Sequence, residues 1–476
     1  MTATTSPAPA ATRRGPRSLA GGRLPWVLAW LVFLPVAVFR AGELSEADTF
    51  WQIRVGLVTI ATHAIPTTDT FSWTMHGKPY FQNSWAFDVL LGLAYRVGGL
   101  ACVACLCALI ALGIAALMLA LARSVGASAT ASAVLLFLAA GPLLGWLSAR
   151  PQLADYAAVP VLVLLLRRIE QGRGRWGAVA LTGLLTVVWI NLHLGALLAL
   201  AIAGVSAGLI ALVRRGACWP YLAAAGAAAA VGCLINPYGI GVLTQVSQVQ
   251  ADSAGLITEW LPLDWASPMD DIVLAAGLVA VVAAWRRRET VLTAALAICT
   301  ADAVAARRML PFVVILAMPV LAALASTPPE SIRRYLASRR AMFLQCGAVA
   351  LVAFFALAVP SLTHIGRPTP TIYPVAVVAD IPPGCRLFTS DLIGGYVILA
   401  RPDVLVSLDG RNNLYGRRVL LAEQRVLNGH GNLARGLAGA GCVLVPRSDG
   451  LARRLPHDTQ WQVRAADQTA ILYVRR

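Results

Sequence analysis

The stretch SEADTFWQIRVG carries two carboxylates, Glu46 and Asp48, just ahead of Trp51. A carboxylate held there can act as general base on an acceptor hydroxyl or amine, or as a metal ligand, and Glu46 can share either task. The plainer alternative is that Ser45 or Asp48 caps a helix over 49–61. Further polar groups interrupt apolar sequence: Arg150 in ARPQ, Asn191 and His193 in WINLH, Asn236 in INPYG, Glu259 in TEWLP, and Arg307 with Arg308 in ARR. The guanidinium forks of Arg307 and Arg308 match phosphate oxygens in two-point contacts, and Arg150 is a further anion ligand. Each has a bland counterpart. Arginines snorkel to lipid headgroups, His193 reads as a satisfied core histidine, and Asn236-Pro237 reads as a helix end. Asp69 in IPTTDTFSWT reads as a turn residue or a site residue. Asp409, Arg411 and Tyr415 in SLDGRNNLYG lie on a strand-exit loop, either a plain Asp-Gly turn or a binding loop.

The elements that must position these groups follow from composition. Of the 476 residues, 58% are hydrophobic and 13% charged, with a mean hydropathy of +0.70. That lies outside the range of soluble domains and reads as a polytopic membrane protein. Apolar runs long enough to cross the hydrocarbon core, about 20 residues each, number about eleven. They fall at 24–40, 98–122, 128–147, 153–168, 177–191, 194–213, 219–236, 271–285, 290–305, 309–326 and 341–360.

The net charge of +16 does not form a nucleic-acid face, because the arginines sit in short clusters between spans. When alternate loops are assigned to opposite sides, one set holds 18 Arg against 3 acids, and the other 7 basic against 12 acidic residues. The positive-inside rule makes the first set cytoplasmic. The N-terminus then lies inside, with residues 1–22 as a disordered tail. Residues 23–362 form the transmembrane domain, with an outer loop over 41–88. Residues 363–476 form an extracytoplasmic mixed α/β domain, with strands expected at 386–388, 404–408, 442–445, 461–464 and 470–474. Helices are expected there at 391–400, 417–427 and 433–438.

All the polar motifs above then fall on the outer side, and ionisable groups at membrane depth face a cavity or a partner rather than lipid. They predict one shared outer cavity. Most of the nine cysteines lie in or beside apolar spans and act as small apolar residues. Cys385 and Cys442, in the outer domain, are the pair open to a disulfide. No nucleophile elbow, phosphate loop or zinc spacing occurs.

One span, a long acidic first outer loop, many further spans and an outer C-terminal domain resemble the GT-C superfamily of membrane glycosyltransferases. The nearer resemblance is to a group of bacterial multi-pass membrane proteins sharing D-x-x-W-x-x-x-x-G in the first outer loop, here Asp48, Trp51 and Gly56. They also share IPTTDTFSWT, ARPQL, WINLHLG, INPYG, TEW and SLDGRNNLY. The resemblance implies Asp48 at a catalytic centre, a sugar donor on a polyprenyl phosphate, arginines on the lipid phosphate and aromatics such as Trp51 on sugar faces. A later D-x-D motif is missing, so a divalent metal has no sequence support. The expected activity is inverting transfer of a sugar from that donor to a glycan or protein acceptor at the outer face of the plasma membrane, with no nucleic acid involved. A transporter, a lipid-handling protein and a cell-envelope scaffold are the competing readings.

Overall fold

In the computed structural model, residues 22–245, 247 and 258–476 are described; the expected N-terminal tail, apart from Gly22, lies outside them. Among the described residues, helix falls on each of the eleven apolar runs. Seven helical segments are long and apolar enough to cross a membrane: Arg23–Ala41, Trp85–Ser124, Arg175–Leu192, Leu194–Arg214, Pro268–Arg286, Arg307–Ala325 and Arg340–His364.

The first apolar run breaks into α1 (Arg23–Leu31) and α2 (Leu34–Ala41), the second opened by Pro35 in its first turn. The polar loop that follows contains α3 (Ala47–Thr62), whose buried face includes Phe50, Trp51, Ile53 and Val55. Helix α4 (Trp85–Ser124) is bent at Gly98 and Gly99, so an outer piece belongs with the loop and the apolar remainder begins where the second run does. Helices α5 (Ala129–Leu144), α6 (Gln152–Glu170), α7 (Arg175–Leu192), α8 (Leu198–Leu209) and α9 (Trp219–Leu234) continue the apolar body. Three more helices, Pro268–Arg286, Thr290–Ala305 and Leu310–Ala325, complete its packed part. The last of these buries most of its residues and serves as the central strut.

Helix α3 crosses α4 at glycines. A Cβ on Gly56 would lie 1.9 Å from the carbonyl oxygen of Asp88, and one on Gly92 would lie 2.9 Å from the Gly56 backbone. The glycine of the D-x-x-W-x-x-x-x-G pattern is therefore a packing requirement that holds α3 against α4.

The C-terminal domain, the one expected to be the outer domain, is built on a five-stranded sheet in the order β2-β1-β3-β5-β4, made of β1 (Arg386–Thr389), β2 (Leu405–Val406), β3 (Cys442–Pro446), β4 (Trp461–Ala466) and β5 (Ala470–Arg475). The strands β2, β1 and β3 run parallel, and β5 runs antiparallel to β3 and β4. The crossover from β1 to β2 is the helix Asp391–Ala400, capped by Ser390 Oγ, which accepts from the Ile393 amide. A disulfide joins Cys385 to Cys442 beside β1 and β3. One face of the sheet packs Phe388, Val443, Leu451, Trp461 and Tyr473 together. The other face shares a single hydrophobic core with α3 and the apolar helices. Phe50 of α3 sits at that junction, edge-on to Tyr373 (4.9 Å between centroids) and Tyr396 (5.2 Å).

Candidate functional site

A cavity of about 490 Å³ opens where α3, α6, the α7–α8 turn, the Thr258–Trp260 turn, the Arg307–Met309 turn and the outer domain meet. On one side Asp48 and Trp51 line it. Helix α3 begins at Ala47 with Glu46 as the flanking residue, and no side chain caps it. Neither Ser45 nor Asp48 is a cap, which corrects the capping alternative. Asp48 instead accepts a hydrogen bond from Trp51 Nε1 through Oδ1 (3.0 Å). The aspartate and the tryptophan three residues on thus share one turn of helix, and the indole fixes the carboxylate.

Arg150 stands at the centre of three acids. Its Nη2 lies 3.3 Å from Asp48 Oδ2, its Nε lies 3.7 Å from Glu46 Oε2, and its Nη1 pairs with Glu259 Oε1. Pro151 does not end a helix here; it opens α6 and sets Arg150 at the rim. Burial works against the arginine's charge, but Asp48, Glu259 and Glu46 together hold its pKa above the usual value. Burial also raises Asp48 and Glu46 above the usual carboxylate range, with Arg150 opposing in each case. Three carboxylates around one cation leave net negative charge, so one of them readily takes up a proton.

The cavity is also lined by His193 and Arg308. The Arg308 guanidinium stacks over Trp260, 4.1 Å from the ring centroid, and has no carboxylate within 4 Å among the described residues. Arg307, next to it in sequence, turns away. Its Nε lies 2.8 Å from Asp270 Oδ2 and its Nη2 donates to Asp270 Oδ1 at 3.3 Å. The short helical turn Arg307–Met309 sends the two side chains in different directions, so only Arg308 lines the cavity.

The remaining expected residues divide into wall and frame. Glu259 and Arg411 line the cavity. Asp69, Asp409 and Tyr415 do not; they build a fully buried lock around Arg411. Arg411 Nη1 lies 2.7 Å from Asp69 Oδ1, Arg411 Nη2 donates to Asp409 Oδ2 at 2.6 Å, and Tyr415 OH donates to the same oxygen at 2.6 Å. Phe71 and Tyr80 flank the guanidinium at 5.2 and 5.1 Å. Asp69 also makes the expected turn, accepting from the amides of Phe71 and Ser72. Asn191 is a bracket away from the cavity: its Oδ1 accepts from Trp85 Nε1 (2.9 Å) and its Nδ2 donates to the Ile235 carbonyl (2.9 Å). Asn236 ties the turn that follows α9, which ends at Leu234, in keeping with the helix-end reading.

Sequence reasoning passed over Asp155, Asp302 and Asn413, which line the cavity together with Asn412 of the expected binding loop. Asp155 falls inside an apolar run, where only its later pairing with His193 marks it. The two asparagines follow Arg411 directly, and the loop is pressed so closely that a Cβ on Gly410 would lie 2.1 Å from Asp48 Oδ1. Among the described residues, no group of three or more His, Cys, Asp or Glu is placed to hold a metal ion; the centre of the Glu46, Asp48 and Glu259 cluster is filled by the Arg150 guanidinium.

No protein-family model and no curated sequence matches this chain. Solved structures do. ArnT from Cupriavidus metallidurans bound to undecaprenyl phosphate aligns with a TM-score of 0.60 and 14% identity over 96% of this chain and 98% of its own. The same protein in the apo state gives 0.55 and 15%, over 94% and 97%. The Archaeoglobus fulgidus oligosaccharyltransferase in the apo form gives 0.57 and 13%, over 89% and 69%. These proteins are GT-C glycosyltransferases, and the chain shares their fold: a multi-pass helical membrane body with a small mixed sheet at the C-terminus.

Proposed function

We propose that this chain is an inverting glycosyltransferase that moves a sugar from a polyprenyl-phosphate-linked donor to a glycan or protein acceptor at the outer face of the plasma membrane. The observation that carries the reading is the meeting, in one cavity, of a carboxylate cluster around Arg150 with an arginine that has no carboxylate within 4 Å among the described residues. Inverting transfer needs both at once. A base must take the acceptor's proton, and a cation must offset the charge that develops on the departing phosphate. Asp48 fills the first role, held by Trp51 and Arg150 and supported by Glu46. Arg308 fills the second.

Two further features support the same reading. The cavity lining is partly apolar, with Leu194, Leu197, Leu198, Met309 and Phe312, which suits a prenyl chain, and partly polar, with Tyr80, Asn83, Asn412 and Asn413, which suits sugar hydroxyls. One of the solved structures that share this fold is that of ArnT bound to undecaprenyl phosphate, a carrier of the same class. The Cys385–Cys442 disulfide supports an extracytoplasmic outer domain, because disulfides persist in oxidising compartments. That orientation agrees with the arginine bias between the spans.

The test is a map of envelope glycans and lipid-linked sugars in a strain lacking the gene. The expected outcome is loss of one glycan modification together with accumulation of a polyprenyl-linked sugar. An unchanged profile contradicts the proposal.

A further inference from the structure

Asp155 sits in the first turn of α6 and is almost fully buried, yet both of its oxygens have a donor within reach. Trp189 Nε1 donates to Oδ1 at 2.6 Å, and His193 Nδ1 lies 2.5 Å from Oδ2. The chain closes over this carboxylate, since a Cβ on Gly195 would lie 2.2 Å from Asp155 Oδ1. His193 leaves α7 in an extended conformation, so its ring turns back toward α6. A carboxylate at Nδ1 fixes the tautomer and orientation of an imidazole. Nε2 then has no hydrogen-bond partner among the described residues, and the side chain lines the cavity. An oriented imidazole with a free ring nitrogen is a proton-transfer device rather than a packed core residue.

Its place in the cavity says which proton it handles. Asp155 links the two cationic side chains of this lining, since it holds His193 Nδ1 and is also the carboxylate acting most strongly on the Arg308 charge. Apolar residues follow each of them in sequence and line the same cavity (Leu194, Leu197 and Leu198; Met309 and Phe312), where a prenyl phosphate can be held, while Asp48 lies against Gly410 of the C-terminal domain. The geometry points to His193 as the acid on the phosphate side of the transfer, with Asp155 and Trp189 as positioning residues. This rests on the donor reading above.

The step balances as follows. The acceptor oxygen bonds to the anomeric carbon while Asp48 takes its proton. The bond from that carbon to the phosphate oxygen breaks, and its electron pair stays on the phosphate oxygen. His193 enters the step as the imidazolium, with Nδ1–H on Asp155, gives its Nε2 proton to that phosphate and is left neutral, and Arg308 offsets the remaining charge. The products are the glycosylated acceptor with inverted configuration and a protonated lipid phosphate; Asp48 then loses a proton to water and His193 regains one.

The experiment uses the full chain in lipid nanodiscs with 15N-labelled histidine, and undecaprenyl phosphate alone as probe. One Nε2 resonance, absent in His193→Gln and displaced in Asp155→Asn, is expected to shift on adding undecaprenyl phosphate but not undecaprenol. His193→Gln is expected to bind undecaprenyl phosphate about tenfold more weakly, the loss of one charge-assisted hydrogen bond. Asp155→Asn is expected to lose less, while moving the same resonance; a purely structural role for Asp155 would not link the two. If the wild type binds the lipid phosphate while that resonance stays in place and His193→Gln binds equally well, the inference is overturned and the donor reading stands. If the wild type does not distinguish undecaprenyl phosphate from undecaprenol, both fall.

Discussion

Two arginine-centred clusters lie side by side in this molecule and do opposite things. Around Arg411, two aspartates and a tyrosine are fully buried with their partners in place. Around Arg150, three carboxylates share one guanidinium in a half-open cavity. The first cluster joins the first outer loop to the outer domain, reinforced by Trp73 Nε1 donating to the Leu387 carbonyl (3.1 Å) and Thr74 Oγ1 donating to the Ser407 carbonyl (2.6 Å). The second has three carboxylates to its one cation against two in the first, and contact with solvent, so it can exchange protons. Fully buried charge with every carboxylate tied to its cation holds structure, and partly exposed charge with a larger excess of acid is where chemistry is to be sought.

The largest expected effect breaks that contrast at its structural end. Arg411→Gln leaves Asp69 and Asp409 buried without their cation, a loss of about 3–5 kcal/mol for a buried pair. The outer domain should become protease-sensitive and its melting temperature should fall steeply. Arg150→Gln should lower the melting temperature much less, because its carboxylates reach the cavity and can take up protons. Equal destabilisation by the two variants would show that the clusters are not different in kind.

A smaller effect is expected where the clusters touch. In Gly410→Ala the new Cβ meets Asp48 Oδ1, so the loop carrying Asn412 and Asn413 must move. Overpacking of this kind costs about 1–3 kcal/mol. Transfer should fall more than stability does, which paired melting and activity measurements would show.

A pH effect lies behind the lock. Glu423 is buried, accepts from Ser407 Oγ at 3.0 Å, and burial pushes its carboxyl up to about 7. An acid whose pKa is higher folded than unfolded binds its proton more tightly when folded. Its destabilisation is therefore absent below the unfolded value and grows as pH rises from about 4.5 to 7. The full effect is on the order of 3 kcal/mol. Hydrogen-exchange protection factors over 386–427, which remove the intrinsic pH dependence of exchange, should fall across that window in the wild type and stay level in Glu423→Gln.

Much of this was legible in the sequence. Apolar runs located the helices because length and hydropathy set spans directly, and the helix Asp391–Ala400 fell where Ser390 and the apolar spacing put it. Convergence of Arg150, His193, Glu259 and Arg308 followed from their common position at span ends. The pairings did not follow. Asp69 and Arg411 are separated by 342 residues, since 411 − 69 = 342, and nothing local couples them. Whether Arg307 or Arg308 faced the cavity depended on a single short turn and on Asp270 as a partner. Asp155 was hidden because one carboxylate in an apolar run carries no signal until His193 and Trp189 are folded against it.

The central claim is that Asp48 is the base of a sugar transfer in this cavity. Its most direct test is the steady-state level of polyprenyl-linked sugar in cells carrying Asp48→Asn at normal protein abundance. Loss of a general base lowers turnover by about 10²–10⁴-fold. The lipid-linked sugar should therefore accumulate as it does without the gene, while the melting temperature of the purified variant stays close to that of the wild type. A wild-type level of lipid-linked sugar and of its product glycan would contradict the account.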